Sequence, residues 1–180
     1  MKVLLHACCG PCTIYPLSVL HDAGHQVTAY FYNPNIHPFK EFEKRLATLS
    51  VYLREEGIEL ISEDRYGLTD FVRQVAFNEH KKCTLCYSMR LKKTALLARE
   101  KGFDCFTTTL LYSRYQDHSK LAEYGERLSN ETEVKFYYED FRLGWQSGID
   151  ASISRSMYRQ PYCGCIYSEQ ERYDKSLKNF

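Results

Sequence analysis

Apolar and polar positions along the chain switch repeatedly between two periods. Val3 to Ala7 is a short unbroken apolar run apart from His6, as expected of a strand covered on both faces. Cys8 to Cys12 reads as a tight loop with Gly10 and Pro11, and helical spacing from Ile14 to Ala23 stops at Gly24. The pattern then repeats. A strand over Val27–Tyr32 is closed by Asn33-Pro34-Asn35, an amphipathic helix over Phe39–Glu56 is stopped by Gly57, and a strand follows over Ile58–Ser62. Spacing predicts helices over Leu68–Phe77 and Leu85–Lys101, the second stopped by Gly102, and a fourth strand over Phe103–Thr107. A helix over Asp117–Leu128, a strand over Val134–Tyr138, a weak helix over Ile149–Tyr158 and a polar helix over Ser168–Leu177 complete the chain.

Alternating strands and helices predict an α/β fold: a parallel sheet of about five strands with helices on both faces, in one domain spanning 1–180. Residues 140–180 form its C-terminal segment and carry a Cys-Gly-Cys string. In such a sheet the site lies beyond the carboxyl ends of the strands, where strand order reverses. If the first and fourth strands are neighbours there, the loops at 8–12 and 108–116 face each other.

Composition narrows the class. Hydrophobic residues at 44% and charged residues at 26% exclude a disordered chain. No apolar run approaches the roughly 18–20 residues of a membrane helix. The leading apolar stretch, Val3 to Leu5, is far shorter than the roughly 7–15 residues of a signal core, so a cytoplasmic location is expected. A net charge of +1 leaves nucleic acid only a local patch to bind. Eight cysteines in a reducing compartment point to metal ligation or redox chemistry rather than structural disulfides.

Cys105, alone inside the fourth strand, reads as a small core residue. The other seven lie at strand ends, helix starts or beside glycine, where amide N–H groups and the positive ends of helix dipoles favour thiolate over thiol. Cys83 and Cys86, spaced Cys-x-x-Cys, put two sulfurs on one centre, and Cys8, Cys9 and Cys12 offer candidates for a second pair. Four thiolates suit zinc or an iron–sulfur cluster alike. Cys9-Gly10-Pro11-Cys12 also fits a thioredoxin-like dithiol oxidoreductase. Cys163-Gly164-Cys165 is too close for a relaxed disulfide, so it reads as a redox-active pair or as two further ligands.

Seven cations against one acid between Lys81 and Lys101 form a basic run that begins with Lys81 and Lys82 and surrounds Cys83 and Cys86. Cations and aromatics interleave again at Arg142, Trp145, Arg155, Tyr158, Arg159 and Tyr162, a mixture that suits phosphates and splayed-out bases of RNA. A zinc-bound RNA-binding module would share these features. Thr107–Thr109 runs into a polar stretch with Ser113, Arg114, Tyr115, Gln116 and Asp117, a natural site loop. Asp117 is either a site acid or a helix cap, and Asp140 follows the fifth strand toward the same crevice or solvent.

Six strings in order then resemble one family. Leu4–Cys12, Phe31–Pro38, Cys83–Tyr87 with Arg90-Leu91, Thr107–Leu111 with Ser113 and Tyr115–Asp117, Asp140–Arg142, and Tyr158–Cys165 are similar to motifs of the QueH-type epoxyqueuosine reductases. Arg114 and Pro161 depart from the expected pattern. The resemblance implies a Rossmann-like fold and a tRNA-modifying enzyme. That enzyme reduces epoxyqueuosine to queuosine at the wobble position of the anticodon loop, the last step of queuosine biosynthesis, without cobalamin. The absence of a Gly-rich phosphate loop argues against ATP. By the same resemblance Cys8, Cys9, Cys83 and Cys86 hold a 4Fe–4S cluster, and Cys163 and Cys165 are the redox-active pair.

Removing an epoxide oxygen takes two electrons and two protons, and the oxygen must be polarised as its bonds break. Cys12 is left over beside the cluster ligands. It is a candidate ligand for an additional mononuclear iron, with Asp117 or Asp140 as oxygen ligand or proton donor. Lys81, Lys82, Arg155 and Arg159 are expected on tRNA phosphates, Arg114, Tyr115 and Gln116 on the substrate, with Tyr115 or Tyr162 stacking on the flipped base. An external electron donor is required as a partner.

Overall fold

Five parallel strands form the sheet in a computed structural model that describes residues 1–176. They are β1 (Lys2–His6), β2 (Gln26–Phe31), β3 (Leu60–Ser62), β4 (Cys105–Thr108) and β5 (Lys135–Phe136), in the spatial order β3-β2-β1-β4-β5. β1 is central because it can be: Val3, Leu4 and Leu5 are apolar on both faces and wholly buried. It pairs with β2 from Lys2↔Gln26 to His6↔Tyr30, and with β4 from Val3↔Cys105 to His6↔Thr108. The order reverses between β1 and β4, so the crevice beyond their carboxyl ends is the switch point of a Rossmann-like sheet.

Helix α1 (Gly10–Asp22) packs on α2 (Phe39–Glu55) and α6 (Trp145–Ser154), while α4 (Lys82–Lys101) packs on α3 (Leu68–Val75) and α5 (His118–Thr132). α7 (Ile166–Tyr173) closes the described chain. Gly102 ends α4 in the left-handed conformation at φ 69°, which a glycine adopts without the Cβ penalty. No helix among the described residues is long and apolar enough to cross a membrane.

Several boundaries differ from expectation, each near the site. The stretch 8–12 is not all loop: Gly10, Pro11 and Cys12 form the first turn of α1, because proline at a helix start gives up only an N–H that had no helical partner. α4 begins at Lys82 rather than Leu85, so Cys83 and Cys86 lie in its opening turns. α6 runs over Trp145–Ser154 instead of Ile149–Tyr158, and the chain leaves it through Ser156 at φ 53°. α7 starts two residues before the expected Ser168, and the predicted end at Leu177 lies outside the described residues.

Candidate functional site

Three helix starts carry the cysteines of interest. Cys9 is the N-terminal flanking residue of α1 and Cys12 lies in its first turn. Cys83 and Cys86 open α4. Cys165 caps α7, its sulfur accepting the Ser168 N–H at 3.4 Å. Each helix start offers unpaired amide N–H groups and a positive dipole end, which stabilise negative sulfur. Cys105, by contrast, is fully buried in β4, as its position in the strand implied.

Cys8, Cys9 and Cys12 form a compact buried group. Their sulfurs lie within 4.8 Å of one another, close enough to share one metal ion. The β1–β4 pairing brings Thr109 to them, as expected if those strands are neighbours. Its hydroxyl accepts the Cys8 N–H at 3.2 Å and donates to Cys8 Sγ at 3.4 Å. The Gln160 side-chain amide donates to Cys12 Sγ at 3.1 Å. Hydrogen bonds from Cys12 and Cys9 hold the Cys8 thiol well below its ordinary value, with smaller help from Thr109 and Arg90. Its two neighbours move upward, Cys9 chiefly by burial and Cys12 chiefly by donating to Cys8.

Cys83 and Cys86 lie outside this trio, and of the two only Cys86 touches Arg90. Arg90 follows Cys86 by one helical turn, so the two share a face of α4, and its Nη2 donates to Cys86 Sγ at 3.0 Å. The guanidinium acts electrostatically on Cys86, Cys163 and Cys8, which come from three separate parts of the chain. Burial pushes the Cys86 thiol up to about 12, and Arg90 opposes it. The side chain of Gln116 donates to Cys163 Sγ at 3.3 Å, placing the polar loop after β4 over the Cys-Gly-Cys string.

That string is held from beneath by α2 and the loop before it. Arg45 is buried and paired with Glu41 at 2.7 Å, and its two terminal nitrogens donate to the carbonyls of Cys163 (2.8 Å) and Tyr162 (2.9 Å). The Tyr158 hydroxyl donates to Glu41, and that of Tyr162 to the His37 carbonyl. The His37 N–H donates to the Gly164 carbonyl at 2.8 Å. Gly164 sits at φ 150°, and a Cβ there would lie 3.2 Å from the Asn35 amide and 3.3 Å from Arg45. The positive φ favours glycine, and any Cβ would press on both neighbours. Cys165 is a buried residue and Cys163 an exposed one, with the Cys163 thiol pushed up chiefly by the burial of its sulfur.

The aspartates and several cations go elsewhere. Asp117 caps α5, accepting the Lys120 N–H at 3.1 Å and pairing with its ammonium at 3.2 Å. Asp140 caps a short 3-10 turn at Phe141–Gly144 and grips Arg142, whose Nη2 is 2.6 Å away. Both carboxyls are held below the usual range, Asp117 by the Lys120 N–H and Asp140 by the Arg142 side chain. Neither belongs to the group that Cys8, Cys9 and Cys12 form among the described residues. The basic run does not form one face: Arg90 turns inward, Lys82 pairs with Glu171 at 2.7 Å, and Lys93 pairs with Glu63 at 3.1 Å. Arg155 lies 2.7 Å from Glu56 and 3.6 Å from Glu55, which neutralise it. Lys81 and Arg159 are exposed, Arg114 stacks on Trp145 at 4.3 Å, and Tyr115 is 84% exposed on the rim.

Arg45 was not singled out by the sequence pattern; Thr109 belongs to the polar site loop read there, and His37 and Gln160 lie inside two of the six strings without a role of their own. One signal was available: Glu41–Arg45 and Cys86–Arg90 are both i,i+4 pairs on faces the helical spacing marks as inward.

A protein of Dehalococcoides mccartyi described as epoxyqueuosine reductase QueH is 39% identical over 174 residues, which cover 97% of this chain and 96% of that one. A protein of Thermotoga maritima with the same description is 33% identical over 186 residues, covering 96% and 93%. One of Histophilus somni is 34% identical, covering 93% and 72%. Among solved structures, one described as a predicted subunit of tRNA methyltransferase from Methanocaldococcus jannaschii superposes with a TM-score of 0.56 at 14% identity, over 85% of this chain and 74% of that one, which speaks to the fold alone. The family model described as epoxyqueuosine reductase QueH matches residues 3–171, and with relatives of this similarity over nearly the whole length, the chain belongs to the epoxyqueuosine reductase QueH family.

Proposed function

We propose that this protein reduces epoxyqueuosine in tRNA to queuosine, in the cytoplasm, with a sulfur-bound iron centre and a redox dithiol. The observation that carries the proposal is the buried trio of Cys8, Cys9 and Cys12 at the start of α1, with Cys86 on a buried arginine beside it in charge, in a chain of this family. The donor set fits such a group. A buried trio of sulfurs within 4.8 Å of one another, a buried cation with no carboxylate, and a Cys-x-x-Cys at a helix start are what a thiolate-bound metal requires. Cys8, Cys9, Cys83 and Cys86 would hold a 4Fe–4S cluster, and Cys12 would be a further ligand for mononuclear iron. The cluster, when bound, supplies electrons one at a time.

The chain's own residues account for the rest of the balance. Cys163 and Cys165 as thiols supply two electrons and two protons. The two C–O bonds of the epoxide break, an alkene and water form, and the sulfurs join as a disulfide. Gln116, donating to Cys163 Sγ, orients that sulfur. Arg45 and the seat of Gly164 on His37 keep the string at the crevice. An external electron donor then returns the disulfide to the dithiol. Exposed Lys81, Arg114 and Arg159 would take tRNA phosphates, and Tyr115 a base of the anticodon loop.

The test is iron and acid-labile sulfide per chain in protein purified without oxygen, followed by turnover of tRNA carrying epoxyqueuosine, read by mass of the released nucleoside. About four irons with matching sulfide, and queuosine formed, are expected. Replacing Cys163 and Cys165 by serine should abolish turnover and leave iron in place. Zinc without sulfide, or no turnover with a loaded centre, would overturn the proposal.

A further inference from the structure

Two arginines are almost fully buried, Arg45 at 1% and Arg90 at 2% exposed, and they are compensated differently. Arg45 has a carboxylate partner in Glu41 and two carbonyl acceptors. Arg90 has no carboxylate within ion-pair distance among the described residues, its Nε has no partner, and its contact with the Asn33 amide oxygen stretches to 3.5 Å. Its one close acceptor is the Cys86 sulfur. A guanidinium does not give up its proton to escape burial, as a lysine or histidine can. A buried cation without an anion is strongly disfavoured, so its counter-charge must come from what surrounds it. The groups acting on it most strongly are Cys86, Cys163, Cys8 and the Tyr87 phenol.

We propose that Arg90 is a positioning residue for the metal centre, supplying the fixed positive charge against which Cys86 presents its sulfur to a bound cation. This rests on reading the cysteines as metal ligands and adds the buried cation that lies against one of them. Loading a divalent ion replaces thiol protons and leaves the sulfur shell more negative than before. A neighbouring cation therefore favours the loaded state over the empty one. It equally favours the more reduced state of any redox-active centre held there.

The experiment uses cobalt(II) alone on oxygen-free, sulfide-free protein, with the sulfur-to-cobalt charge-transfer absorption as readout and a chelator as competitor. Arg90→Gln should retain cobalt about tenfold or more weakly than wild type, and Arg90→Lys should recover most of the loss. In iron-loaded protein, Arg90→Gln should shift the midpoint potential to more negative values. Wild-type retention and potential in Arg90→Gln, or equal losses in the lysine and glutamine variants, would overturn the inference. If Arg90→Gln does not fold, Asn33→Asp decides: a carboxylate set beside Arg90 should weaken cobalt binding, and unchanged binding overturns the inference. Absence of the cobalt–thiolate band in wild type would instead overturn the reading of the cysteines as ligands.

Discussion

Arg45→Met tests the link between the buried ion pair and the Cys-Gly-Cys string. The substitution keeps most of the side-chain volume, leaves Glu41 as a buried anion with only the Tyr158 hydroxyl as partner, and strips the Cys163 and Tyr162 carbonyls of their donors. Breaking one side of a buried pair costs about 3–5 kcal/mol. In a domain of this size each kcal/mol moves the midpoint of thermal unfolding by about 2–4 °C, so the drop should be roughly 6–20 °C. Glu41→Gln in the same chain removes the orphaned charge, and the double variant should be more stable than the sum of the single losses by about 1–3 kcal/mol. The assay is urea unfolding of the two single variants and the double. A second readout follows the string itself: Cys163, already exposed, should react faster with a thiol reagent in Arg45→Met under native conditions. Additive losses, or a single variant within 1 kcal/mol of wild type, would refute the coupling. Unchanged Cys163 reactivity would refute the role of Arg45 in holding the string.

Gly164→Ala combines a left-handed φ with the two close approaches of its Cβ and should cost about 1–3 kcal/mol in urea unfolding, with turnover lost; equal stability would show that the string can shift freely. His37 is buried and its pKa is lowered to about 4, chiefly by burial, so the unfolded imidazole binds its proton first as pH falls. The stability due to its neutral form is complete above 6.5 and is lost as pH drops from 6.5 toward 4, by roughly 2 kcal/mol. His37→Gln should flatten that part of the stability–pH profile, and an unchanged profile counts against the assignment. Affinity for tRNA should fall steeply with salt. Arg159→Ala and Lys81→Ala should each reduce the log–log slope by about 1, whereas Arg155→Ala, already neutralised by Glu55 and Glu56, should leave it nearly unchanged. A slope reduced most by Arg155→Ala would contradict the ion pairing.

The sequence by itself determined the sheet and its order of elements. An apolar run such as Val3 to Leu5 can be satisfied only at the centre of a covered sheet, and glycines after α1, α2 and α4 stop helices wherever they are placed. It also separated Cys105 from the other cysteines, since a lone cysteine inside a strand points into the core. The destinations of the charges were decided by tertiary structure. Arg90 counted toward a basic surface by sequence, yet the packing of α4 turns it inward, because helical position and not local charge sets which face is buried. Asp117 and Asp140 had the chemistry for a site but bond backbone N–H groups two or three residues away, and such local bonds compete with any distant partner. Cys8, Cys86 and Cys163 are far apart in the chain. Only the pairing of β1 with β4, the start of α4 and the clamp of Arg45 on the last string bring them about one cation. Periodicity reports which way a residue faces along its own element. Which elements share an edge, and therefore which sulfurs share a charge, is set by long-range packing that no local pattern encodes.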